Sequence, residues 1–232
     1  MVLVAHTHRF VFLKTNKTAG TSIEMFLQSL CAPSGTAITE RQHAQVKDDY
    51  IAGMRLVRPR DKQPQDSLWY NHMPAIAVRA QLGADLWDAY VKVTSVRNPF
   101  DLAVSRFHYC RKVGGEQHSG ESLTARRSAF KEVILDTKWT NSMAATHIND
   151  TLAADRIIRF EQLTQDVETF CKDQSINIDA VNLPVTKRTV EDREDIHFRE
   201  YYHDETVDFV RSHLDWMFQA GSYPDTPHDP SC

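Results

Sequence analysis

The segment from Arg9 to Leu30 constrains this chain more than any other. Phe10, Val11, Phe12 and Leu13 form an unbroken apolar run, the pattern of a strand buried on both faces. A polar loop follows, Lys14-Thr15-Asn16-Lys17-Thr18-Ala19-Gly20-Thr21-Ser22. Ile23, Phe26, Leu27 and Leu30 then recur at i, i+3, i+4 and i+7, one face of a helix that Pro33 and Gly35 end. A strand, a loop of small residues and a helix in this order aim backbone N–H groups and a helix N-terminus at one point, which suits an anion. Gly20 permits close backbone approach, Lys17 supplies a mobile charge, and Thr18, Thr21 and Ser22 offer hydroxyl donors. The same spacing also fits a plain turn, eased by Gly20, in which Thr21 or Ser22 caps the helix.

Strand and helix continue to alternate. Tyr90 to Val96 predicts a second core strand, and Pro99 opens a helix with Phe100, Ala103, Val104 and Phe107 on its apolar face. Arg156 to Phe160 predicts a third strand, followed by a helix through Leu163, Val167 and Phe170. Pro74 opens a shorter helix through Ala80, while Ser34 to Trp69 shows no clear periodicity and reads as irregular or as short helices. Phe130 to Leu135 and the region from Trp139 to Ile148 read as helical, and the last helix carries Val207, Phe209, Val210, Leu214 and Trp216. This order predicts an α/β, P-loop-like layered fold with a central, mainly parallel sheet flanked by helices. The 232 residues fit one domain, 1–232.

Composition narrows the partners. A net charge of −4 gives no general attraction to nucleic acid or to an anionic membrane, although Arg55 to Lys62, Arg111-Lys112, Arg126-Arg127 and Lys187-Arg188 concentrate positive charge locally. No window approaches the roughly eighteen apolar residues of a membrane span, so the chain reads as soluble and cytoplasmic. Cys31, Cys110, Cys171 and Cys232 are scattered without a CxxC pair, which argues against a zinc site or a disulfide framework.

A Walker A loop places its lysine directly after the last glycine, whereas Lys17 precedes Gly20 by three residues. Asn16-Lys17-Thr18-Ala19-Gly20-Thr21-Ser22 instead resembles the 5′-phosphosulfate loop of sulfotransferases that use 3′-phosphoadenosine 5′-phosphosulfate (PAPS), P-K-T-(G/A)-(G/S)-T-S, with Asn16 in place of the proline. Arg97 and Ser105, eight residues apart across an R-N-P turn and a helix, are similar to that family's pair for the 3′-phosphate. Arg156 to Asp166 is similar to a third family segment, and the nearest likeness is to the carbohydrate-type branch.

The resemblance implies a site and a reaction. The loop residues Lys14, Asn16, Lys17, Thr18, Ala19, Gly20, Thr21 and Ser22 would hold the 5′-phosphosulfate and Arg97 and Ser105 the 3′-phosphate, while Arg188, in the late loop Thr186 to Thr189, would close over the 3′-phosphate or the adenine, or else lie in an exposed charged turn. Lys17 would stabilise the leaving phosphate oxygen. His72, just before Pro74, lies where related carbohydrate sulfotransferases place a catalytic histidine, and imidazole titrates in the range that suits a general base. Among the 11 histidines, His108, His118 and His147 are the other candidates, and a Glu or Asp base is a further alternative. The expected acceptor is a hydroxyl, on a carbohydrate by the branch resemblance, and no metal is expected. Alternative readings are a P-loop nucleotide kinase or phosphotransferase, and a non-catalytic nucleotide-binding protein.

Overall fold

The computed structural model describes residues 2–55, 68–116, 120–135, 143–186 and 191–228. In chain order its strands are β1 (Val2–Ala5), β2 (Phe10–Leu13), β3 (Gln45–Val46), β4 (Tyr50–Ala52), β5 (Val91–Val96), β6 (His147–Ile148), β7 (Thr151–Leu152) and β8 (Arg156–Arg159). The α-helices are α1 (Gly20–Cys31), α2 (Ala75–Leu82), α3 (Ala84–Ala89), α4 (Pro99–Gly114), α5 (Leu123–Ile134), α6 (Met143–Thr146), α7 (Leu163–Asp173) and α8 (Asp204–Gly221). Backbone contacts divide the chain into two compact units, Met1–Ser95 with Ser142–Thr186, and Val96–Asn141 with Lys187–Cys232.

The first unit is built on a six-stranded sheet of order β3-β4-β1-β2-β5-β8. The expected mainly parallel sheet is a mixed one. β2 pairs with β5 in parallel, but β1–β2, β1–β4 and β3–β4 are antiparallel. The reason is loop length. Only residues 6–9 join β1 to β2, and a parallel pair needs a crossover of a dozen residues or more, so the short link closes a hairpin with Arg9 at φ 54°. The crossover from β2 to β5 contains α1, and it delivers the one parallel pairing whose register is defined.

Period-two alternation sends side chains to two cores. Leu3, Ala5, Phe10 and Phe12 pack with Ile23, Phe26 and Leu27 of α1 and Val167 and Phe170 of α7. Val2, Val4, Val11 and Leu13 point the other way, to Ala75, Val78 and Leu82 of α2 and Trp87 of α3. The sheet is thus flanked by helices, and β2 is apolar on both faces because both faces are covered.

The helix expected over Trp139 to Ile148 falls partly outside the described residues and ends at Thr146. His147–Ile148 is instead the first strand of a hairpin with Thr151–Leu152, turned by Asn149 and Asp150 at φ 50° and 60°. Two central residues with positive φ are what a two-residue hairpin turn of matching twist requires.

The second unit is helical, with α4, α5, α8 and 3-10 turns at Glu191–Arg193 and Phe198–Tyr201. Its core is aromatic: Phe107 meets Phe130 edge-to-face at 5.6 Å, Phe130 meets Tyr202 at 5.1 Å, and Phe100 meets Phe218 at 5.2 Å. No helix of the described residues is long and apolar enough to cross a membrane.

Candidate functional site

In the first unit the link from β2 to α1 is set by backbone conformation. Lys17 and Ala19 lie in the left-handed region, at φ 60° and 58°, with Thr18 between them at negative φ. Such alternation turns successive N–H groups to one side, the geometry of an anion-binding concavity. Ala19 is the N-cap of α1, and it offers no side-chain oxygen to the first turn. The alternative in which Thr21 or Ser22 caps α1 is not met, because both lie inside the helix. The first turn carries no acidic side chain, so its positive end is not neutralised by a carboxylate of its own.

The hydroxyls of the loop hold the loop itself. Thr15 Oγ1 donates to the Ser95 carbonyl at 2.6 Å, and its bond to Thr18 Oγ1 is 2.7 Å. Because the Thr15 proton is committed to that carbonyl, Thr18 must donate to Thr15. Ser95 Oγ in turn donates to Thr18 Oγ1 at 2.7 Å. This chain ties the loop to the end of β5. Ser22 Oγ lies 3.0 Å from Thr186 Oγ1.

Lys14 is buried, and its Nζ donates to Thr21 Oγ1 at 2.8 Å and to Glu24 Oε2 at 3.3 Å. Glu24 has no exposed surface, and its other oxygen accepts from Arg55 Nη1 at 2.6 Å. Arg55 Nη2 donates to Gln28 Oε1 at 2.8 Å. Burial pulls the Arg55 guanidinium below its usual range, and Glu24 opposes that. Lys14 therefore serves as an internal counter-charge under the loop. Its aliphatic stem explains Gly20, since a Cβ there would stand 2.8 Å from Lys14 Cγ.

His72 belongs to the same unit, half-buried, at φ 53°. Its Nδ1 lies 3.1 Å from the Lys14 carbonyl oxygen. A carbonyl only accepts, so Nδ1 carries the proton and, in the neutral ring, the basic lone pair lies on Nε2. Of the other histidines proposed as bases, His118 lies outside the described residues. His108 is buried against Tyr201 Oη at 2.8 Å, and its pKa is pushed down to about 4, by burial first and then by Arg193 and Arg126. His147 sits in β6, its Nδ1 2.9 Å from Thr146 Oγ1, with its pKa lowered by burial.

Arg97, Asp101 and Ser105 belong to the second unit. Asn98 caps α4, accepting from Phe100 N at 3.0 Å and Asp101 N at 3.4 Å, with Pro99 in the first turn. The four-residue spacing of Asp101 and Ser105 places them on one face of α4, and Arg97 lies just before the helix. Arg97 Nε and Nη2 both lie 2.6 Å from Asp101 Oδ2, and Arg193 Nη1 donates to Asp101 Oδ1 at 2.7 Å. Burial pushes the Asp101 carboxyl up, but Arg97 and Arg193 outweigh it and hold it below the usual range. Arg188 lies outside the described residues.

Glu24, Asp101 and Arg193 were not singled out in the sequence, and Arg55, read there as part of a basic cluster, is buried against Glu24. Glu24 with Gln28, one turn apart beside the apolar face of α1, was the readable sign of a buried polar stripe. Asp101 was signalled by the spacing from Arg97 to Ser105, which it halves. Among the described residues no group of three or more His, Cys, Asp or Glu side chains could hold a metal ion. Comparison of the chain with protein-family models, curated proteins and solved structures returned no match.

Proposed function

We propose that this chain is a PAPS-dependent sulfotransferase with a P-loop-like phosphate loop, acting in the cytoplasm on a hydroxyl acceptor, a carbohydrate by the branch its motifs resemble. The reading is carried by one observation: His72 donates its Nδ1 proton to the carbonyl of Lys14, the residue that opens the loop with alternating φ at Lys17 and Ala19. That bond puts the basic lone pair of the neutral ring on Nε2, and in this reading Nε2 is the base. In the proposed reaction the acceptor oxygen attacks sulfur in line and its proton passes to His72 Nε2. The bond from sulfur to the bridging oxygen breaks, that oxygen keeps the electron pair, and the Lys17 ammonium stabilises the charge. The products are a sulfate ester and 3′-phosphoadenosine 5′-phosphate (PAP). Backbone N–H groups of residues 16–22 supply the cradle in this scheme, because the hydroxyls of Thr18, Thr21 and Ser22 already bond within the unit. Arg97 and Ser105 supply the 3′-phosphate contacts.

The test is calorimetric. Titration with PAP, ADP and magnesium ATP should show preference for PAP, and preference for ATP would reject the assignment. With labelled PAPS and a panel of saccharides, His72→Ala and Lys17→Ala should each lower transfer by about 100-fold or more while PAP still binds to His72→Ala.

A further inference from the structure

The bond from His72 Nδ1 to the Lys14 carbonyl oxygen, 3.1 Å long, reaches across 58 residues of chain. That carbonyl belongs to the peptide joining Lys14 to Thr15, just past the end of β2. A planar peptide between two fixed α-carbons keeps one freedom, a turn about the line that joins them. How firmly the carbonyl faces His72 therefore depends on what holds Lys14 and Thr15.

Side chains hold both. The parallel pairing of β2 with β5 runs as far as Leu13 and Thr94. There one threonine on each segment bonds the backbone of the other: Thr94 Oγ1 donates to the Leu13 carbonyl at 2.6 Å, and Thr15 Oγ1 donates to the Ser95 carbonyl at 2.6 Å. Lys14 is held further by its Nζ, on Thr21 and Glu24. Thr15, Thr94 and Ser95 are all buried, so these bonds lie out of reach of bulk water.

Thr15 has a second task. Its oxygen accepts from Thr18 Oγ1, which accepts from Ser95 Oγ, so the three hydroxyls begin and end on Ser95 and close a ring. Thr18 lies between Lys17 and Ala19, the two left-handed residues of the anion-binding concavity. One hydroxyl thus ties down the peptide to which His72 donates and the residue at the middle of the concavity. Valine would fill the same volume at this buried position, but it would strand the Ser95 carbonyl and the Thr18 proton.

We propose that Thr15 is a positioning residue for the base: its hydroxyl holds the Lys14–Thr15 peptide so that the carbonyl keeps the His72 proton on Nδ1, with the basic lone pair on Nε2. This rests on the sulfotransferase reading, in which Nε2 takes the proton of the acceptor hydroxyl.

The tautomer of His72 is read by nitrogen NMR of the intact chain labelled at its histidine rings, at mildly alkaline pH, where an imidazole is neutral; the signal is assigned by its absence in His72→Gln. Transfer from labelled PAPS is measured on the same samples. Thr15→Val should move the proton from Nδ1 toward Nε2 and lower transfer about tenfold or more, and Thr15→Ser, which restores the hydroxyl, should recover both. A parent-like tautomer in folded Thr15→Val overturns the role of Thr15 even if transfer falls, since a merely structural defect lowers transfer without moving the proton. Full transfer in spite of a moved proton overturns it as well, and either result leaves the sulfotransferase reading standing. Should Thr15→Val not fold, Thr15→Cys decides, because a thiol is a weak donor: a tautomer population equal to the parent's refutes the proposal. Absence of transfer from PAPS by the unmutated protein overturns the sulfotransferase reading itself, and this proposal with it.

Discussion

Replacing Glu24 by Gln should destabilise the protein far more than an amide-for-carboxylate exchange on a surface. Glu24 has no exposed surface and lies between two buried cations, Arg55 at 2.6 Å and Lys14 at 3.3 Å. The amide is nearly the same shape, so no cavity opens and packing contributes little. What is lost is the charge that neutralises both cations, and the new NH2 group must face one of them as donor against donor. Breaking a buried ion pair by removing one partner costs about 3–5 kcal/mol. Since the Gln carbonyl still accepts one bond, the lower figure, about 3 kcal/mol, applies. With a urea m-value of about 2.5 kcal/mol/M, the midpoint should fall by roughly 1.2 M, read by circular dichroism. The double variant Glu24→Gln/Arg55→Met removes one stranded cation and should show a coupling of about 1–3 kcal/mol in a double-mutant cycle. A midpoint for Glu24→Gln within about 0.2 M of the parent protein, with m unchanged, would refute the view that this carboxylate holds the loop's foundation together.

Two further outcomes follow from the same geometry. His108 has its pKa depressed to about 4 in the folded chain against an ordinary value of 6.5, so the unfolded state binds the extra proton between these values. Its contribution is fully present above pH 6.5 and is lost as pH falls toward 4, on the order of 3 kcal/mol in total; His108→Gln should flatten that part of the stability–pH curve, and an unchanged slope would contradict the burial argument. Gly20→Ala forces a Cβ to 2.8 Å from a Lys14 stem that Thr21 and Glu24 hold in place, and should cost about 1–3 kcal/mol together with nucleotide affinity, measured by urea unfolding and calorimetry; parent-like values would show that the stem yields freely.

The elements legible in the sequence were those whose pattern is local. Phe10 to Leu13 read as a doubly buried strand because both faces are covered, and α1, α4 and α7 carried their apolar residues at helical spacing. β3 and β4 were not legible, since two or three residues carry little periodicity, and β1 was not assigned although Val2 to Ala5 is an apolar run like that of β2. The Asn149-Asp150 turn was readable in principle, as Asn and Asp tolerate positive φ, but the helical reading of the flanking residues overrode it. At the site, the structure brings His72 Nδ1 to 3.1 Å from the carbonyl of Lys14, at the head of the loop. The burial of Lys14 beneath Gly20 was not foreseeable, because it depends on Glu24 and Arg55, whose meeting spans 31 residues of chain.

The strand order bears on how this molecule behaves in company. Among the described residues the sheet ends on one side in β3, two residues long, and on the other in β8, four residues bracketed by Arg156 and Arg159. An extended segment of another chain adds to a sheet only where a long row of unpaired backbone groups is offered, and charged side chains on the outermost strand discourage it further. Neither margin offers such a row. At high concentration the sheet therefore resists growing by strand addition from one molecule to the next, and its apolar strands β1 and β2 stay at the centre of the sheet, away from both margins.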